Sequence, residues 1–263
     1  MLVAHLWEMG PTYFNYFYLT QNCSYHLFTV IDAAAPELEL TDRLRLYVIP
    51  AETVKVLDTV PGLVTKVQYR PSLRTVFDYR VQHLNEKERE ILYTLVHNRD
   101  LSILDSLPDV KSKTAVLDAA LDFTDYRFAR ELMAKDETAV AWKQKLLMSR
   151  SQMGVISETV KLTPDPSTYP NKGHGAARFS LSHGLSDSQS QFTHLGFRFA
   201  LHDLNDRFVG YPEYASIDFL AFEARVTHQT RKFEMEEANL IRITSLNDFT
   251  YFHQKPSWHA RLG

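Results

Sequence analysis

Residues 215–230, ASIDFLAFEARVTHQT, alternate between two sets of side chains along their length. Ile217, Phe219 and Ala221 fall on one side of an extended chain, and Asp218 and Leu220 fall on the other. A period of two residues is typical of a β-strand, because successive side chains point to opposite faces of a sheet. The stretch therefore predicts a long strand rather than a helix.

The same period recurs on both sides of this stretch, in HGAARFSLSHG (174–184), SQFTHLGFRFALHDL (190–204) and NLIRITSLNDFTYF (239–252). Runs of this length suit the antiparallel hairpins of a barrel or a large sheet. We therefore predict that residues 174–263 form the start of an antiparallel, barrel-like β domain with roughly four strands. Because so few long strands leave two unpaired edges, we expect the domain to continue beyond this chain.

Residues 81–160 show a helical period instead. NEKEREILYTLVHN (85–98) begins with Asn85 and has Glu88 three residues later, which is the capping-box pattern of a helix start. A stretch rich in Pro, Ser and Thr, TPDPSTYPNKG (163–173), then separates this helical segment from the strands.

Residues 1–80 mix helices with short extended segments. We predict helices over 1–9 and 23–35, a short helix after Pro50, an extended apolar segment at 46–50 and a strand at 64–72. The fold class predicted for the whole chain is therefore α+β.

The composition excludes several classes of function. The 263 residues carry a net charge of −3 without a basic run, which argues against nucleic acid as a partner. A single cysteine cannot form an internal disulfide, and no stretch approaches the roughly 20 apolar residues of a membrane-spanning helix. MLVAHLWEMG (1–10) lacks the features of a signal peptide and is typical of the middle of an amphipathic helix, so we expect the chain to begin inside a longer protein.

Cys23 is the only cysteine, and it lies in NCSYHL (22–27), directly before an apolar run. A thiol is nucleophilic as the thiolate, and a helix N-terminus favours that anion. The position therefore suits a nucleophile, and an inert packing cysteine is the alternative. His26 shares a helix face with Cys23, but it is a poorly placed base because both side chains project from one helix.

The sequence contains no motif for a metal or a nucleotide. HExxH, paired CxxC, GxGxxG and P-loop spacings are absent, so we predict no metal and no cofactor. LHDLND (201–206) brings His202, Asp203 and Asp206 close together, which could bind a cation but better fits a polar turn. His174 and His183 are nine residues apart on one predicted strand, so they would point to opposite faces.

Several segments of the first 80 residues resemble the bacterial Lnb N-terminal periplasmic domain family. They are AHLWEM (4–9), YFNYFYLTQNCSYHLFTVIDAAAPELEL (13–40), LYVIPAETVKVL (46–57) and YRPS (69–72). Later segments resemble the β-rich region that follows this domain in long Gram-negative members. The resemblance implies that residues 1–80 are the C-terminal half of a papain-like domain of the permuted NlpC/LRAT kind.

The resemblance also implies a role for the thiol. Lnb is a lipoprotein acyltransferase that carries an acyl chain as a thioester on its cysteine, so Cys23 would be the acyl-accepting nucleophile. Asn22 and Ser24 would be its neighbours and could help to shape an oxyanion site. In such proteins the histidine precedes the cysteine, and His5, the one histidine before Cys23, lies in the wrong element. We therefore expect this polypeptide alone to have weak activity or none.

The resemblance implies a location in the periplasm, within the cell envelope, with a signal peptide encoded upstream of the residues given. The expected partner is a lipid-linked acyl or peptide substrate of the envelope, and association with a membrane is a further expectation. The alternative is a non-catalytic structural or binding module of the envelope with a degenerate cysteine domain.

Overall fold

The long strands predicted for the C-terminal residues form one antiparallel sheet in which neighbouring strands follow chain order. They are β1 Arg178–Leu185, β2 Gln191–His202, β3 Ala215–Thr227, β4 Lys232–Ser245 and β5 Trp258–Leu262. The antiparallel sheet is thus confirmed, with one strand more than expected. In the described part of the chain β1 and β5 are the two edges, so the sheet is not closed into a barrel.

This computed structural model describes residues 2–44, 47–186 and 190–263. The chain divides into two units, one formed by residues 1–67 with 164–263 and the other by residues 68–163. The first unit contains the sheet, and the second is helical, so the α+β class is confirmed. The papain-like assignment of residues 1–80 and the predicted domain boundaries stay predictions.

The sheet buries polar side chains on one face and exposes apolar ones on the other. Arg198 of β2 and Asp218 of β3 are 4% and 1% exposed, and an ion pair of 3.6 Å joins them. Phe179, Phe197 and Phe222 form a row across β1, β2 and β3, and all three are exposed. Ala200, Ala221 and Ala224 are buried as well, so small apolar and charged side chains share the interior of the sheet.

The alternation of β3 changes phase near its middle. Asp218 and Ala221 are both buried although they are three residues apart. Leu220, between them, has a φ of 50°, which interrupts the regular pleat. The single alternation predicted for residues 215–230 is therefore wrong beyond this point, because the kink at Leu220 and a bulge between Glu223 and Ala224 each move the buried positions by one residue.

The helices of the first unit are α1 Leu2–Met9, α2 Cys23–Ala34 and α3 Pro50–Asp58. Pro50 is the first residue of α3, where its fixed φ favours a helix start and its missing N–H costs nothing. The predicted helices are confirmed here, apart from Met1, which lies outside the described residues.

The second unit contains α4 Leu73–His83, α5 Glu86–Asn98, α6 Val110–Arg127, α7 Ala129–Met133 and α8 Glu137–Ser151. The predicted capping box of Asn85 and Glu88 is present at the start of α5. The core of this unit is apolar and fully buried, and it includes Phe77, Leu92, Leu95, Val116, Leu117, Trp142 and Leu146. The predicted helical segment is therefore confirmed.

Two short segments differ from the prediction or fall partly outside the structure. Residues 64–72 form no strand, and none of the described strands pairs with them, so no β ladder holds them extended. Of the predicted extended segment 46–50, Leu46 is outside the described residues, and Val48 donates a backbone hydrogen bond of 2.7 Å to Leu19 O. Among the described helices, none combines the length and apolar character needed to cross a membrane.

Candidate functional site

Cys23 is the first residue of α2, and its side chain is exposed. The backbone N–H groups at a helix start carry partial positive charge, which favours an anion such as a thiolate. In the part of the chain that the structure describes, no hydrogen bond or ion pair involves its Sγ. The thiol is therefore accessible to a reagent or substrate, but it has no base in contact with it here.

Asn22 fixes the position of the thiol. Its buried side chain accepts hydrogen bonds from the N–H groups of Ser24 (3.1 Å) and Tyr25 (3.3 Å). Its Nδ2 donates to Tyr18 O at 3.1 Å and to Val48 O at 2.7 Å. Both amide hydrogens are thus occupied, and an oxyanion role for Asn22 and Ser24 stays a prediction.

His26 lies one turn after Cys23 and packs against aromatic rings. Its ring centroid is 4.6 Å from that of Phe14 and 5.5 Å from that of Tyr25. Its Nε2 is buried and has no hydrogen-bond partner among the described residues. These contacts hold the ring in an aromatic cluster, and its assignment as a base stays a prediction.

An apolar cavity of about 520 Å³ lies next to the start of α2, within the first unit. Its size falls within the range of about 300–1,000 Å³ that is usual for small-molecule sites. Asn22 is part of its wall and Cys23 is not. The wall joins the segments before α2 and α3 to the sheet, through Tyr16, Tyr18, Leu19, Val48, Ile49, Ala200, Leu201, His202, Tyr211, Ser216, Ile217, Phe219 and Ile241 among others.

A pair of histidines lies at one side of this cavity. His174 Nε2 is 2.9 Å from His202 Nδ1, and the ring of Tyr211 stacks on both imidazoles. Burial and the neighbouring His174 lower the pKa of His202. Burial also raises the pKa of Tyr211, to about 12, so both wall residues are uncharged at neutral pH.

The loop before β1 holds His174 through contacts with α3. Glu52 accepts a hydrogen bond of 2.9 Å from Ala176 N–H, and Lys55 donates to His174 O. His174 thus precedes β1, which begins at Arg178, so its predicted place on the same strand as His183 is wrong. The physical reason is that these side-chain contacts to α3 satisfy the backbone here in place of a β ladder.

Asp206 lies beside the histidine pair, and the ligand atoms of the three side chains are within 4.8 Å of one another. Among the described residues this is the one group that could hold a metal ion. Arg198 and Arg178 pair with the two Asp206 oxygens at 2.6 and 2.8 Å. Burial acts to raise the pKa of Asp206, but the hydrogen bonds from Asp203 N–H and Arg198 outweigh it and lower the pKa. The carboxylate is therefore already neutralised by two guanidinium groups, which would oppose a cation.

The sequence did not predict the pairing of His174 with His202. The two residues are 28 positions apart and follow no metal-ligand spacing. One feature pointed to His202 as a site residue. It is the last residue of β2, directly before the polar turn of residues 203–206, and the other buried positions of that strand are apolar or charged. That turn is present, because Asp206 N–H donates to Asp203 O at 3.0 Å.

Three family models match the chain, in order and almost without gaps. Residues 1–59 match the Lnb N-terminal periplasmic domain, residues 67–162 match a domain of unknown function (DUF7842), and residues 167–263 match another (DUF7840). No curated protein and no solved structure matches the chain significantly.

The first match confirms the resemblance and indicates a periplasmic protein of the cell envelope. It covers Cys23, its Asn22 cap and the start of α3, whereas the histidine pair belongs to the third match. Residues 1–59 are thus similar to the Lnb N-terminal periplasmic domain, and two domains of unknown function follow.

Proposed function

We propose that the protein is an envelope thiol acyltransferase or hydrolase in which Cys23 accepts the acyl group. The observation that carries this proposal is the exposed thiol at the first position of a helix that Asn22 caps. The helix start stabilises the thiolate, and the cap fixes the direction in which the thiol points.

The chemistry has two steps that balance without a cofactor. The Cys23 thiolate attacks the carbonyl carbon of an acyl ester or amide, and a C–S bond forms while the C–O or C–N bond breaks. The leaving alcohol or amine takes a proton from solvent. Water or a second amine then attacks the thioester carbon, and a C–O or C–N bond forms while the C–S bond breaks. The attacking group gives its proton to solvent, and the thiolate is released.

We expect turnover by this chain to be slow. A positioned general base contributes typically about 10²–10⁴-fold, and no described side chain forms a hydrogen bond or ion pair with the thiol. Asn22 Oδ1 also occupies the N–H of Ser24. An oxyanion contact from Ser24 would therefore have to come from its hydroxyl group.

The first prediction concerns thiol reactivity. At pH 7 we expect iodoacetamide to alkylate Cys23 roughly two- to tenfold faster than a thiol in the middle of the same helix. The matched control is the double variant Cys23→Ser, Leu27→Cys, because Leu27 is 55% exposed and lies one turn further along α2. Equal rates for the two thiols would contradict activation by the helix start.

Acyl transfer is tested by incubating the chain with p-nitrophenyl octanoate and measuring its intact mass. We expect one octanoyl adduct, which hydroxylamine removes and the Cys23→Ser variant lacks. The proposal fails if both proteins hydrolyse the ester at the same rate and neither forms the adduct.

A second candidate function is a non-catalytic module that docks on the envelope membrane. It is supported by the exposed row of Phe179, Phe197 and Phe222 on the sheet, since large exposed apolar patches mark interaction surfaces. Phe179→Glu should then reduce co-sedimentation with phospholipid vesicles, and Ser182→Glu, an exposed site of β1 on its opposite face, should not. Vesicle binding that survives Phe179→Glu would exclude this surface.

A further inference from the structure

The hydrogen bonds of the histidine pair define its tautomers. His174 Nδ1 is 2.7 Å from Gly175 O, which can only accept, so Nδ1 carries the proton. The neutral His174 therefore accepts at Nε2, and His202 donates to it from Nδ1 over 2.9 Å. A neutral His202 is then left with a lone pair and no proton at Nε2.

This lone pair has no partner among the described residues. His202 is 3% exposed, and its Nε2 is buried without a hydrogen bond. A buried polar atom without a partner destabilises the fold, because it has lost its hydrogen bond to water. The Nδ1 edge faces His174 and Tyr211 stacks on the ring at 4.7 Å, so the Nε2 edge is the part of the ring left for a ligand, which has to displace neighbouring side chains to reach this buried atom.

The wall of the apolar cavity includes no Asp, Glu, Lys or Arg, and its one histidine, His202, is neutral in the hydrogen-bonded pair described above. Asn22, also in the wall, uses its side chain in four hydrogen bonds. A charged ligand group would thus enter an apolar space without a counter-charge, which is strongly unfavourable.

We propose that this cavity binds an uncharged, largely apolar molecule that ends in a hydroxyl group, and that His202 Nε2 accepts the hydrogen bond of that hydroxyl. The site is separate from the thiol chemistry, because Cys23 is not in the cavity wall. Ligand binding in this cavity is independent of the proposed acyl transfer.

A cation at His174, His202 and Asp206 would require a different proton arrangement. Both imidazole nitrogens of the 2.9 Å contact would have to be unprotonated. Arg198 Nη1, 2.6 Å from Asp206, would lie next to the ion. The hydrogen-bonded histidine pair keeps the proton between the two rings and places no ion beside Arg198. The geometry therefore favours a ligand with a hydroxyl group over a cation.

The test compares three small ligands by isothermal titration calorimetry at pH 7.5. 1-Octanol carries the hydroxyl, heptyl methyl ether is its isomer without a donor, and octanoate is charged. We expect octanol to bind about three- to tenfold more tightly than the ether, as one net hydrogen bond predicts, and octanoate to bind most weakly. Equal affinities for octanol and the ether, or tightest binding of octanoate, would overturn the proposal.

Variants assign the effect to the cavity and to His202. His202→Phe keeps an aromatic ring beside Tyr211, so ether binding should persist while the preference for octanol disappears. Ala51→Leu places three extra carbons in the wall and should weaken binding of both uncharged ligands. Cys23→Ser should change none of these affinities, which separates this test from that of the thiol.

A spectroscopic measurement keeps the test valid if His202→Phe does not fold. In the unmodified chain with ¹⁵N-labelled histidine, octanol should shift the His202 Nε2 resonance and the isomeric ether should not. Identical shifts with both ligands would contradict a hydrogen bond at this atom. A rise in the unfolding temperature of the unmodified chain with added Zn²⁺, together with shifts of the His174 and His202 ring resonances, would replace the proposed site by a metal site.

Discussion

Asn22 determines more of the local structure than any other single side chain near the thiol. It caps α2 and also satisfies the carbonyl groups of Tyr18 and Val48, which lie in two different segments. Replacing it with alanine removes the cap, worth about 1 kcal/mol, and leaves the Val48 carbonyl without its side-chain donor, at about 1–3 kcal/mol. We therefore predict that Asn22→Ala lowers the free energy of unfolding by roughly 2–4 kcal/mol, measured by urea denaturation.

The control is Asn85→Ala, which removes a cap of α5 without such tertiary bonds and should cost about 1 kcal/mol. Equal losses would show that the bonds to Tyr18 and Val48 contribute nothing.

At the level of elements, the sheet depends on charges buried between its strands. Asp218 of β3 is 1% exposed and lies between Arg198 of β2, at 3.6 Å, and Arg242 of β4, at 2.8 Å. Removing one member of a buried ion pair costs about 3–5 kcal/mol, because its partner charge is left in the interior. We predict that Asp218→Ala destabilises the protein by about 3 kcal/mol, since Asp203 and Asp206 still pair with Arg198. Thermal and urea unfolding measure this loss.

Glu234→Ala, which removes an exposed ion pair on β4, should leave stability nearly unchanged. A similar small effect of Asp218→Ala would mean that water reaches the buried arginines.

At the scale of the whole molecule, the helical unit has a core of its own. Its buried side chains come from α4, α5, α6 and α8, and its ion pairs, such as Arg150 with Asp118 at 2.6 Å, stay within residues 68–163. A unit with its own core and ion pairs can fold alone.

We predict that a fragment of residues 68–163 shows a helical circular dichroism spectrum and one cooperative thermal transition. Leu117→Ala should lower the transition of that fragment, because it empties a fully buried site at a cost of about 2–5 kcal/mol. A fragment without a cooperative transition would show that this core needs the rest of the chain.

The sequence by itself determined the elements whose signals are local. The capping box of Asn85 and Glu88 predicted the start of α5, and the two-residue period predicted the long strands, because capping and pleating depend on neighbours along the chain. The place of Cys23 at the start of α2 was likewise visible in residues 22–27.

Tertiary structure alone decided the features that depend on distant partners. The segment 64–72 has the alternation of a strand but pairs with none of the described strands, and β3 changes phase at Leu220, where its backbone kinks. The histidine pair is another such feature, because Glu52 and Lys55 of α3 bring His174 to His202 from 28 residues away. Local propensity acts between residues close in sequence, whereas the cavity and its unpaired Nε2 arise from packing between segments far apart in the chain.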